Sequence, residues 1–177
     1  MADKLYKFAM FIFSASVIVS FFLPWVSVNT QPVGKVAAVL TPGAGSAFTE
    51  ISGFKIPIAA NSCDARLIVS VVKIFKPSMQ DVDKKVWFVW FVPILAWFIF
   101  LLTGRFSNSK FINLIYAVIG FGIFLFAFYK IETADLRNVV LKIKIEPGFW
   151  FTIWAYLGIG ILGFLRFKAL SFRKRRW

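Results

Sequence analysis

Four stretches of this chain, 8–28, 86–103, 111–129 and 149–165, are apolar and contain no Asp, Glu, Lys or Arg. A bilayer core about 30 Å thick is crossed by roughly 17–25 such residues when they form a helix. The helix is dictated by hydrogen bonding, since it satisfies its backbone N–H and C=O groups internally where no water is present to do so. The sequence therefore predicts a mainly α membrane protein, a bundle of four transmembrane helices forming one membrane domain. The overall balance agrees, with 59% hydrophobic and 16% charged residues where soluble domains hold about 45–50% and about 25%. Disorder, a secreted disulfide scaffold and most soluble enzymes are excluded by it. The first stretch is long and lacks a small-x-small cleavage site, so it reads as an anchor that stays in place.

Charge sets the expected orientation. Lys4, Lys7, Arg105, Lys110, Arg166, Lys168, Arg173, Lys174, Arg175 and Arg176 flank the spans on one side, with Asp3 the only acid there. On the other side, basic residues are diluted over two longer loops with Glu50, Asp64, Asp81, Asp83, Glu132, Asp135 and Glu146. The denser side is expected in the cytoplasm, which puts both termini inside. Abundant Lys, Ile and Phe suit an AT-rich genome and point to a bacterial inner membrane. The tail 166–177 carries Arg166, Lys168, Arg173, Lys174, Arg175 and Arg176 with aromatic residues between them. Such a juxtamembrane cluster is expected on anionic headgroups, at about 1 kcal/mol per basic residue, or on a partner's acidic face, and not on nucleic acid.

The outer segments are 29–85 and 130–148. The first is too long to lack structure of its own. It contains β-prone stretches at 25–30, 35–40 and 51–58, separated by Pro32, Gly34, Pro42, Gly43 and Gly45, which predicts a small antiparallel sheet capping the outer mouth. Residues 138–145 offer a further edge strand. Arg66, Ser70, Lys73 and Lys76 fall at helical spacing among apolar neighbours, with Ser62 or Asp64 before them and Pro77 after. That is one amphipathic helix for the bilayer surface or a partner, or alternatively a buried strand. The lone Cys63 has no internal partner for a disulfide.

Within the spans, small and polar residues mark expected helix contacts: Ser16 and Ser20, then Asn113, Ala117, Gly120 and Ala127, then Tyr156, Gly160 and Gly163. Small residues let two backbones approach where the hydrophobic effect gives no drive to associate. Gly158, Gly160 and Gly163 also spell G-x-G-x-x-G, but without the preceding strand that a dinucleotide site requires. Trp87, Trp90 and Trp97 follow one face of the second span and offer contact to a lipid, quinone, pigment or partner helix, against an interfacial aromatic belt as the plainer reading. Pro93 is expected to kink that helix. The chain has no His, hence no ordinary ligand for haem, copper or chlorophyll, and no cofactor or metal site is expected. No span holds the charged residue that proton relays and ion pathways usually need.

The string Phe22-Leu23-Pro24-Trp25 closing the first span, followed by Ile51-Ser52-Gly53-Phe54 in the outer segment and then three more spans, resembles a recurrent type of uncharacterised bacterial four-span membrane protein. The resemblance covers the layout of the whole chain and implies no activity. The layout is also similar to that of claudins, with a β-rich first outer loop, although the paired cysteines and Gly-Leu-Trp string of that loop are missing here. Together these features lead to the expectation of a non-catalytic accessory subunit that assembles with other integral membrane subunits and stabilises a larger complex. The alternative is a protein that binds or transports lipid or another hydrophobic molecule. A channel or an enzyme is disfavoured by the uncharged spans and the missing catalytic constellation.

Overall fold

The computed structural model describes residues 2–29, 48–56, 87–133 and 143–173. Within them lie four long helices and a three-stranded sheet: α1 (Ala2–Phe22), β1 (Pro24–Asn29), β2 (Phe48–Ser52), α2 (Phe91–Phe106), α3 (Lys110–Thr133), β3 (Ile143–Ile145) and α4 (Pro147–Arg173). A single 3-10 turn, Trp87–Trp90, leads into α2. Among the described residues four segments are long and apolar enough to cross a membrane, Asp3–Phe22, Phe88–Phe106, Lys110–Glu132 and Pro147–Phe172. The fold fits an integral membrane protein.

The helix boundaries differ from hydropathy alone in two informative ways. The run expected to be helical over 8–28 breaks at Leu23, and Pro24–Asn29 is a strand. Proline disfavours the α conformation in the residue before it, and at the first position of a strand its missing N–H costs nothing. At the other end α1 begins at Ala2 and takes in Asp3, Lys4 and Lys7, while α4 continues past Leu165 to Arg173. Long basic side chains can run along a helix end and keep their charge at the interface. Pro93 lies three residues after the 3-10 turn, in the first turn of α2. There an absent N–H interrupts no interior ladder, so it marks the helix start and not a kink in mid-span.

The sheet has the order β2-β1-β3, antiparallel throughout. The central strand β1 follows α1 directly, and the register slips between Pro24 and Val26 at a bulge. β3 comes from the segment before α4, whose first helical residue is Pro147; Glu146 N–H donates to Trp25 O at 2.9 Å on the way. The strands expected over 35–40 lie outside the described residues, as do the amphipathic helix expected from Arg66 to Lys76 and Cys63.

In the bundle α4 packs against α3 and α1, α1 packs against α2, and α2 stands further from α3 and α4. Burial follows this order: 44% of the apolar stretch of α4 is buried inside the protein against 17% of that of α2. The core is Tyr6, Met10, Val17, Ala96, Ile99, Tyr116, Ala155, Tyr156 and Ile159. Tyr116 and Tyr156 are its largest fully buried side chains, and the Tyr156 hydroxyl reaches across to donate to Val92 O of α2. The outward faces remain apolar on all four helices, with Phe8, Trp97, Phe126 and Trp154 each more than half exposed. Such a surface is soluble only in lipid or against another apolar protein.

Candidate functional site

The two strings that carry the resemblance meet in space. Phe22 and Phe54 have ring centroids 5.5 Å apart, and Phe54 also packs on Phe21 and Trp90. Trp25 stands edge-on to Phe21 and to Phe149 of α4. Its indole N–H donates to Ser20 O at 2.9 Å, and Phe54 N–H donates to Phe21 O at 3.1 Å. Gly53 has to be glycine, because a Cβ there would lie 2.7 Å from the Trp25 ring. Edge-to-face aromatic pairs contribute roughly 0.5–1.5 kcal/mol each beyond the area they bury. This aromatic box therefore clamps the sheet onto α1 and the start of α4.

Beside the box Ser27 Oγ donates to Glu146 Oε1 at 2.7 Å, and Lys144 Nζ lies 3.3 Å from the same oxygen. The Ser27 hydrogen bond, helped by Lys144, holds the Glu146 carboxyl below its ordinary range. A carboxylate just ahead of α4 is also favoured by the helix dipole. The carboxylate thus bridges β1 and β3 just ahead of α4. Glu50 and Glu132 are exposed elsewhere, and among the described residues no three His, Cys, Asp or Glu side chains gather at one point.

The small residues of α3 and α4 form the closest helix contact. A Cβ on Gly120 would lie 2.4 Å from Gly160 N, and one on Gly163 would lie 2.8 Å from Ala117 N and 2.9 Å from Asn113 O. Tyr156 is fully buried on the same helix. Gly158 faces α1, where a Cβ would lie 2.7 Å from the Phe13 ring. The G-x-G-x-x-G string is thus occupied by protein along its length, in mid-helix, leaving no room for a pyrophosphate. Ser20 is buried and bonded to Thr152 of α4 at 2.7 Å. Ser16 does not join the interior: it is exposed, and its hydroxyl turns back to Ile12 O.

At the end of the bundle opposite the sheet, a polar hub ties three helices and a turn together. Arg166 Nη2 donates to Asp3 Oδ1 at 2.5 Å and to Asn108 Oδ1 at 2.7 Å. The guanidinium lies over the Tyr6 ring, 5.3 Å from its centroid. The Tyr6 hydroxyl donates to Asn113 Oδ1 at 2.5 Å, and Asn113 Nδ2 donates to Ser107 O and Ser109 O at 2.9 and 2.7 Å. Arg166 was expected among the headgroup-binding cations, but its side chain is only 17% exposed and is spent on Asp3. Lys168 is exposed. The side chain of Arg173 and all of Lys174, Arg175 and Arg176 lie outside the described residues. The hub is not legible in the sequence, because Asp3 and Arg166 are 163 positions apart and each looks like an ordinary interfacial charge.

The tryptophans of α2 have different surroundings. Trp90 is partly buried in the aromatic box, 5.5 Å from Phe21. Trp97 is 55% exposed and stacks on Phe100 at 5.8 Å. The side chain of Trp87 lies outside the described residues. A shallow open groove of about 550 Å³ runs between α1 and α4, past Ser16, Val19, Phe151 and Trp154. No family model matches the chain, and no curated protein or solved structure matches it either.

Proposed function

We propose that this chain is a non-catalytic integral membrane subunit that assembles with other membrane subunits and stabilises a larger complex. It would sit in a bacterial cytoplasmic membrane with both termini inside and the sheet outside. The observation that carries this reading is how the polar side chains are spent. Tyr6 with Asn113, Ser20 with Thr152, Tyr156 with Val92 O and Arg166 with Asp3 each join two helices. The bundle axis is filled by Met10, Tyr116, Tyr156 and Ile159. Such an interior supports a rigid body and offers little to a substrate or an ion. Meanwhile α2 keeps Phe91, Ile94, Trp97, Phe98 and Leu101 exposed on a helix anchored mainly to α1. That face suits packing against another helix. The test is purification of a tagged copy from its native membrane in mild detergent; a stoichiometric partner supports the reading, and a monodisperse monomer overturns it.

The second reading, binding of a lipid or other hydrophobic molecule, draws support from the groove between α1 and α4. It predicts a bound apolar molecule that survives gentle purification and is lost in Ser16→Phe, which fills the groove. Retention unchanged by that substitution would remove this reading.

A further inference from the structure

Charge is distributed unequally between the two ends of the bundle. At the sheet end the described residues include Lys55, Lys130 and Lys144 against Glu50, Glu132 and Glu146, which balance. At the other end stand Lys4, Lys7, Arg105, Lys110, Arg166 and Lys168 against Asp3 alone. Arg166 and Asp3 neutralise each other in the hub, and Lys7 leans inward to within 3.8 Å of Asp3 and 3.5 Å of Gly104 O. The cations left facing outward are Lys4 on α1, Arg105 on α2, Lys110 on α3 and Lys168 on α4, all exposed.

Each helix thus contributes one outward cation at the same end. Each cation also has exposed apolar side chains beside it in its own helix: Leu5 next to Lys4, Phe106 next to Arg105, Phe111 next to Lys110, and Phe164 and Leu165 just before Lys168. Lys110 reaches over the Phe167 ring of α4, 5.0 Å from its centroid. A compact acidic protein partner would be met by cations gathered on one face. Cations spread around all four helices, each next to lipid-facing apolar surface, match a plane of headgroups.

We infer that Lys4, Arg105, Lys110 and Lys168 form a collar that binds the phosphate headgroups of anionic lipids around this end of the bundle, while Arg166 serves as the internal tie that leaves the collar unopposed. Among the described residues Asp3 is the only acid at this end, and its pairing with Arg166 and Lys7 removes it as a competitor for the collar cations. The inference does not depend on the subunit reading, since it concerns lipid around the bundle whether or not a partner is present. Near an anionic surface each basic residue changes affinity about fivefold, an effect that falls off within a Debye length.

The experiment is native mass spectrometry of the purified full chain after exchange into mixed micelles of detergent with phosphatidylglycerol or with phosphatidylcholine. Phosphatidylglycerol should be retained in preference, and the preference should fall on raising ionic strength. The triple variant Lys4→Gln, Lys110→Gln, Lys168→Gln should retain phosphatidylglycerol about a hundredfold less, while Lys55→Gln at the sheet end should match the parent. Thermal unfolding in lipid-free detergent checks that the triple variant is folded; if it is not, the three single variants, each expected to show about a fivefold loss, replace it. Equal retention of the two lipids by the parent, or undiminished phosphatidylglycerol retention by folded variants, would overturn the proposal.

Discussion

Individual side chains in this protein are constrained mainly by how closely backbones approach. Gly120 and Gly122 are two residues apart on α3 and have opposite surroundings. A Cβ at Gly120 would meet the Gly160 backbone at 2.4 Å, whereas one at Gly122 would meet nothing within 4 Å. Gly120→Ala should therefore destabilise the bundle by about 1–3 kcal/mol, as overpacking of a tight contact does. Gly122→Ala should be neutral or stabilising by up to about 1 kcal/mol, from helix propensity alone. Reversible unfolding in mixed micelles compares the two; equal effects would mean that the α3–α4 seam is looser than described. A second residue-scale prediction concerns Glu146. Its carboxyl is held below the ordinary value of 4.5 by Ser27, so the interaction stabilises the fold above that value and is lost as pH falls through the lowered one. A carboxyl-carbon NMR titration should place the Glu146 midpoint below 4.5, and Ser27→Ala should move it upward. An unmoved midpoint would mean that Ser27 is not the partner that matters.

Between elements, the two ends of the bundle are joined by different chemistry: aromatic rings under the sheet, and hydrogen bonds around Arg166 at the other end. Interhelical hydrogen bonds in membranes average about 0.6 kcal/mol and reach about 1.7. A double-mutant cycle on Tyr6→Phe and Asn113→Ala should give a coupling in that range, read from unfolding in the same micelles. A coupling near zero would show that the hub is held by Arg166 and Asp3 without help from Tyr6. How much of these elements can be read in sequence depends on the range of the interaction. Hydropathy locates four apolar runs because each is a local property of about twenty residues. The small residues Ala117, Gly120, Gly160 and Gly163 stand out by helical spacing, and they are the points where α3 and α4 touch. The end of α1 is harder, because apolarity continues through Val28 across a change from helix to strand and only Pro24 signals it. The pairing of Gly53 with Trp25, and of Asp3 with Arg166, depends on which chain ends the fold brings together, and no local pattern encodes that. Ser16 shows the converse: its spacing from Ser20 suggests a shared face, yet four residues of helix turn it about 40° further around, into the open groove.

At the scale of the described residues the molecule is a bundle tied by interhelical hydrogen bonds, with Ser14 Oγ and the Tyr116 hydroxyl buried and unpaired, an apolar outer surface, and an excess of positive charge at the end opposite the sheet. The proposed orientation follows from that asymmetry and has a direct check. In a Cys63→Ser background, a membrane-impermeant maleimide applied to spheroplasts should label Lys55→Cys and spare Lys4→Cys until the membrane is opened. The reverse pattern would turn the topology over. We propose that this lipid-facing body acts by assembly. The most direct test is to isolate a tagged full-length copy from its native membrane in mild detergent and determine the mass and composition of the intact species. The expected result is a defined complex with another integral membrane protein in fixed stoichiometry, weakened when Trp97→Ala and Leu101→Ala thin the exposed face of α2. A homogeneous 20.2 kDa species with no protein partner would contradict it.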